Sequence, residues 1–212
     1  MLRPALIEPP ASLPVTIDEA KLHLRIDPAP ADAVLTALIG AATKHLDGWT
    51  GTLGRCIVNQ SWRQDFGYWP QSRDLRLPFP NCSSIVVKYF DATNTEQTVP
   101  DTAYEVLEDA LGGFVRLGSS FDRPVLYGQR SDAVRVAFIS GFGDASAVPD
   151  AIKMAIVFMV GDFYARSSSS SSNVKRETVE GVSTTEFQDA DKLVGENPLA
   201  SLLLDPYRRF GI

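Results

Sequence analysis

Residues Val148 to Arg166 read VPDAIKMAIVFMVGDFYAR, and their reading decides the fold. Pro149 sits where a helix can begin, because the first turn does not need its missing N–H. From Ile152 to Tyr164 the apolar residues then run almost all the way round a helix. A helix with no polar face must be buried on every side, so this one is expected at the centre of the molecule. No window of the chain reaches 18 uninterrupted apolar residues, so the segment reads as a core helix rather than a membrane span.

Upstream, from Arg55 to Ser140, the period changes. CIVNQSWRQDF, DLRLPF, SIVVKYFD, AYEVLE, GFVRL and AVRVAFISG are short runs rich in β-branched and aromatic residues, separated by FPN, DATN, LGG and YGQRSD. They predict an antiparallel sheet or small barrel of about six strands. Before them lie two helical patterns. TIDEAKLHLRI opens with Thr16 and Glu19 spaced as a capping box and puts Ile17, Ala20 and Leu24 on one face, until Pro28 and Pro30 end it. Ala31 to Trp49 carries Val34, Leu35, Leu38, Ile39, Ala42, Leu46 and Trp49 at helical spacing, with Gly51 placed to stop it. Downstream, NPLASLLLDPYRRFGI supplies Asn197 as N-cap, Pro198 at the first helical position and a break at Pro206. The economical arrangement is α+β: a helical core of about four helices, residues 13–54 and 148–212, with an antiparallel β-domain, 55–147, inserted between the second and third helices. Residues 1–12 form an N-terminal arm and 167–187 a Ser-rich tether.

Composition narrows the function. At 212 residues the chain fits one domain or one domain with a sizeable insertion, and its N-terminus, MLRPALIEPPASLP, has prolines where a signal peptide needs an apolar helix. A net charge of −6 argues against a protein that grips nucleic acid, since affinity for phosphate comes from Lys and Arg. Cys56 and Cys82 lack the spacing of a metal site, two histidines are too few for a zinc cluster, and both cysteines read as small buried side chains. His23 and His45 sit on amphipathic helices with no nucleophile motif beside them. ISGFGD, Ile139 to Asp144, lacks the order of a nucleophile elbow and reads as a glycine turn leaving a strand. No phosphate-binding glycine loop is present. These residues call for no cofactor and no metal. Glu108 and Asp109 read as a solvated loop. Trp62, Phe66, Tyr68 and Trp69 read as core or interface, the alternative being a carbohydrate- or nucleic-acid-stacking platform, which would leave the rings exposed.

Five blocks in order, LPVTIDEAKLHLRID, GWTGTLGRCIVNQSWRQDF, DLRLPFPNCSSIVVKYFDA, RVAFISGFGDASAVPDAIKMAIVFMVGDFYAR and LLLDPYRR, resemble the head-to-tail connector (adaptor) proteins of long-tailed phages and phage-like gene transfer agents. The resemblance runs from about Leu13 to Arg209. It implies a non-enzymatic virion protein that forms a ring of twelve under the portal, meets a stopper or tail-terminator protein below, and leaves a channel through which DNA passes without specific binding. It also implies assembly in the cytoplasm, a final place in the particle neck, and no membrane partner. Twelve copies at −6 would carry about −72, which would repel the DNA backbone from the lumen. The serine run departs from the shorter, more mixed link of the resembling proteins.

Two segments are candidate contacts. Leu202, Leu203, Tyr207, Arg208, Arg209 and Phe210 combine leucines beyond the needs of a short helix with cationic forks beside aromatics, a composition suited to an anchor on the portal. Ser167 to Ser172 cannot bury enough apolar surface to order itself, and the β-leaning residues after it include Val174, Val179, Val182 and Phe187. That pattern predicts a tether crossing to a neighbouring subunit. Because arm and tether lack cores of their own, the isolated chain is expected to be monomeric or weakly associated, with the ring forming on the portal.

Overall fold

The computed structural model describes residues 2–25, 32–168, 176–179, 183–186 and 197–209. In chain order the elements are β1 (Ala5–Glu8), α1 (Ile17–Leu24), α2 (Asp32–Leu46), β2 (Gln60–Phe66), β3 (Asp74–Arg76), β4 (Cys82–Phe90), β5 (Glu96–Thr98), β6 (Tyr104–Asp109), β7 (Gly112–Leu117), β8 (Val134–Ser140), α3 (Asp150–Ser168), β9 (Arg176–Val179), β10 (Ser183–Glu186) and α4 (Pro198–Leu204). The class is α+β as expected, with β2–β8 lying between α2 and α3. The chain divides into two units: Met1–Pro14, Leu46–Val148 and Arg209–Ile212 form one, and Val15–His45 with Pro149–Arg208 the other.

In the helical unit, α1 begins at the capping box read from sequence. Glu19 N donates to Thr16 Oγ1 at 3.2 Å, and Thr16 N donates back to Glu19 Oε2 at 2.7 Å. On α2, Leu35, Ile39 and Ala42 are buried on one face, whereas Val34 is exposed. The helix ends at Leu46, short of the expected Trp49, because Gly48 turns the chain at φ +76°, a conformation glycine adopts without steric cost. The apolar run becomes α3, and none of its residues from Ala151 to Gly161 is exposed. It packs against α1 and α4. At Gly161 an added Cβ would lie 2.8 Å from Leu24 Cδ2, so the missing side chain is what lets α1 approach. Asn197 caps α4, accepting from Ala200 N at 2.9 Å while its Nδ2 donates to Asp162 of α3 at 2.7 Å. β9 and β10 pair antiparallel, from Ser183 opposite Val179 to Glu186 opposite Arg176.

In the β unit, a five-stranded antiparallel sheet runs β1-β2-β8-β4-β5 and a three-stranded one β3-β7-β6. β8 is central to the larger sheet, paired with β2 from Gln60 opposite Ser140 to Phe66 opposite Val134. Its alternate residues Val134, Val136, Phe138 and Ser140 are buried, the period-two pattern of a sheet with one covered face. Val134, Val136 and Phe138 join Trp62, Leu75, Leu77, Phe79, Val115 and Leu117 in one core. The six expected strands are all present. Sequence reading missed β1 and β5. β1 stands within the proline-bounded arm, where Leu2 N donates to Asp65 O at 3.2 Å and Gln64 Nε2 donates to Leu2 O at 2.7 Å. An edge position tolerates the flanking prolines. β5 is three exposed polar residues, with no apolar alternation to reveal it.

Candidate functional site

The residues that first suggest chemistry have structural partners. Gly141 and Gly143 of ISGFGD adopt φ +151° and +135°, and a Cβ on Gly141 would lie 2.6 Å from Asn59 N. Asp144 Oδ1 then accepts from Ser146 N at 2.8 Å and Ala147 N at 3.2 Å, closing a turn of 3-10 helix before α3. The motif is therefore a strand-to-helix corner. Cys56 and Cys82 are unpaired; burial raises both thiols, that of Cys82 to about 12, and Cys82 Sγ donates to Phe79 O at 3.2 Å. Neither is poised as a thiolate.

His23 is exposed on α1 and borders a cleft of about 300 Å³ in the helical unit, with Val15, Glu19, Asp150, Lys153, Met154 and Val157. Glu19 there is held below the usual carboxylate range by its backbone and side-chain hydrogen bonds to Thr16, so it stays ionised rather than donating a proton. Glu108 and Asp109 end β6 instead of lying in a loop. Glu108 accepts from Asn81 N at 3.0 Å, and Asp109 takes both arms of Arg76 at 2.6 and 2.7 Å. Among the described residues no cluster of three or more His, Cys, Asp or Glu side chains is arranged to hold a metal ion, and no helix is long and apolar enough to cross a membrane.

The aromatic cluster belongs mostly to the core. Trp62 is buried and meets Phe79 edge-on at 4.9 Å. Trp69 packs against Tyr89 and Phe121, with centroids at 5.6 and 5.5 Å, and its Nε1–H donates to Pro124 O at 2.9 Å. Phe66 is half-buried, which leaves Tyr68, at 71% exposure, as the one open ring of the four. A stacking platform needs several.

What remains outward-facing is apolar surface and strand edge. On α4, Ala200 and Leu204 are buried, while Leu199 and Leu202 are 58% and 68% exposed one turn apart. Leu203 and Tyr207 are half-buried. Arg208 Nη2 donates to Ser201 Oγ at 3.0 Å, and its Nη1 lies 3.4 Å from Asp205. Arg209 does something the sequence did not signal. In the β unit its backbone N donates to Leu53 O at 3.1 Å and its guanidinium donates to the carbonyls of Gly54 (3.3 Å), Pro78 (2.6 Å) and Leu111. Burial lowers its pKa, because three backbone carbonyls repay only part of the lost hydration. Gly112, at φ +109°, leaves room for it: a Cβ there would stand 2.8 Å from Nη2. Of the tether candidates, Ser167 falls in the last turn of α3 and Val179 ends β9. Ser172, Val174, Val182, Phe187 and the terminal Phe210 lie outside the described residues.

No protein-family model matches the chain, and no curated protein does. Solved structures do. The chain is similar over 100% of its length to 97% of a chain from the neck of an empty gene transfer agent particle computed with C6 symmetry, at a TM-score of 0.70 and 16% identity. It matches a chain from the virion of a native gene transfer agent particle with the same coverage, TM-score 0.68 and 16% identity. A chain from the neck of a native particle computed with C12 symmetry gives TM-score 0.60 and 18% identity, again over 100% and 97%. The fold is thus one found in the necks of these particles.

Proposed function

We propose that this chain is a structural head-to-tail connector (adaptor) of a phage-like particle, possessing no catalytic site and forming a homo-oligomeric ring, of twelve subunits, between the portal and a stopper or tail-terminator protein. One observation carries the reading: the likeness spans the whole chain and nearly the whole of the neck chains, so it includes the helical unit and the inserted sheets together. The C12 symmetry of one such neck supports the ring of twelve. The subunits assemble in the cytoplasm and end in the particle neck, where DNA crosses the central channel without being held. The net charge of −6 per chain suits that passage, since an acidic wall repels phosphate.

Within this reading the C-terminal segment faces the portal. Leu199 and Leu202 offer an apolar pair one turn apart, and the half-buried Leu203, Tyr207 and Arg208 follow on the same segment. The test is the mass of the purified chain with and without portal protein. A monomer alone and a ring on the portal are expected. A chain that ignores the portal overturns the function, and a stable ring without it overturns templated assembly.

A further inference from the structure

Resting on the ring reading above, we infer that the β9–β10 hairpin of one subunit adds to the open edge of β6 in the next, with β9 or β10 becoming the fourth strand of the three-stranded sheet. Two incomplete pieces of sheet motivate this. The hairpin pairs its two four-residue strands with each other, and among the described residues no further strand joins them. A two-stranded ribbon of that size is marginal in water and gains stability from a third strand or a packed face. β6 is paired only on its β7 side and leaves six residues of edge unpaired among the described strands.

The other edges are poorer acceptors. β1 has an irregular register between Leu6 and Glu8 and is followed by Pro9 and Pro10, while β3 and β5 are three residues each. β6 has no proline and a regular register from Tyr104 to Asp109. It exposes Val106 at 48% between Glu105 and Glu108, both exposed. β9 opens with Arg176, a cation opposite in sign to the β6 acids.

Chain length permits the crossing. Seven residues separate Ser168 from Arg176 and ten separate Glu186 from Asn197. At about 3.5 Å per residue these span up to about 28 Å outward and about 38 Å back, a subunit-scale distance. Strand addition fits a heterologous ring, since acceptor edge and donor hairpin are different surfaces of one subunit and the contact repeats head to tail.

Disulfide trapping tests it. Two full-length singly substituted sets, Glu105→Cys, Val106→Cys or Glu108→Cys in one and Thr178→Cys, Val179→Cys, Thr184→Cys or Thr185→Cys in the other, are mixed, assembled on portal protein and oxidised. Covalent dimers in mixtures but not in either set alone, and ladders of higher multimers from doubly substituted chains, are expected. Rings that yield only single-chain products, or no cross-link at any pairing, overturn the inference while the ring stands. Failure of the unsubstituted chain to form rings on the portal overturns the ring reading and the inference with it.

Discussion

Arg209 shows how far a residue's role depends on where distant loops meet. YRRF reads as an outward cationic anchor, yet the Arg209 guanidinium is spent on carbonyls from Gly54, Pro78 and Leu111. Nothing local in the sequence says that those three loops converge, so the socket was illegible until the chain was folded. Arg209→Ala should cost about 1.5–3 kcal/mol, the range for hydrogen bonds to a charged group, measured by chemical denaturation. Gly112→Ala should destabilise as well, through both its positive φ and the close approach to Nη2. The corner glycine was legible: Gly141→Ala should cost roughly 2 kcal/mol or more, because a Cβ there meets Asn59 backbone. Asp91 gives a pH signature. Its carboxylate accepts from Thr93 N, Thr93 Oγ1, Thr95 N and Gln97 Nε2, which lowers its pKa to about 2. A folded value below the unfolded one of about 3.9 means its contribution is present above that range and lost as pH falls through about 2. NMR titration of the Thr93 and Thr95 amides should show that midpoint, and a midpoint near 4 would refute the assignment.

At the scale of elements, legibility followed length and periodicity. The capping box, the all-apolar helix and six strands each had several residues repeating one signal, while β1 and β5 had prolines or polar residues and depended on a neighbour for their pairing. The tether region could be read only as β-leaning, and the edge that would receive it, β6, was visible as AYEVLE but not as an edge. Thr16→Ala removes the cap on α1 and should cost about 1 kcal/mol by thermal or chemical unfolding. Ile156→Ala, in the fully buried middle of α3, should cost about 2–5 kcal/mol. If Ile156→Ala proves no worse than Thr16→Ala, the close packing of α3 against its neighbouring helices is contradicted.

For the whole molecule, the useful variants are those that spare folding and change assembly. Leu202→Glu alters a side chain that is 68% exposed, so unfolding stability should stay within about 0.5 kcal/mol while portal attachment falls. An unchanged attachment would move the portal contact away from α4. Truncation after Asp205 is a poorer probe, because it also empties the Arg209 socket. The central claim is that the chain joins a filled head to its tail. Electron microscopy of particles from cells lacking this chain measures that most directly: DNA-filled heads without tails are predicted, restored to tailed particles when the chain is supplied again, and normally tailed particles in its absence would contradict the account.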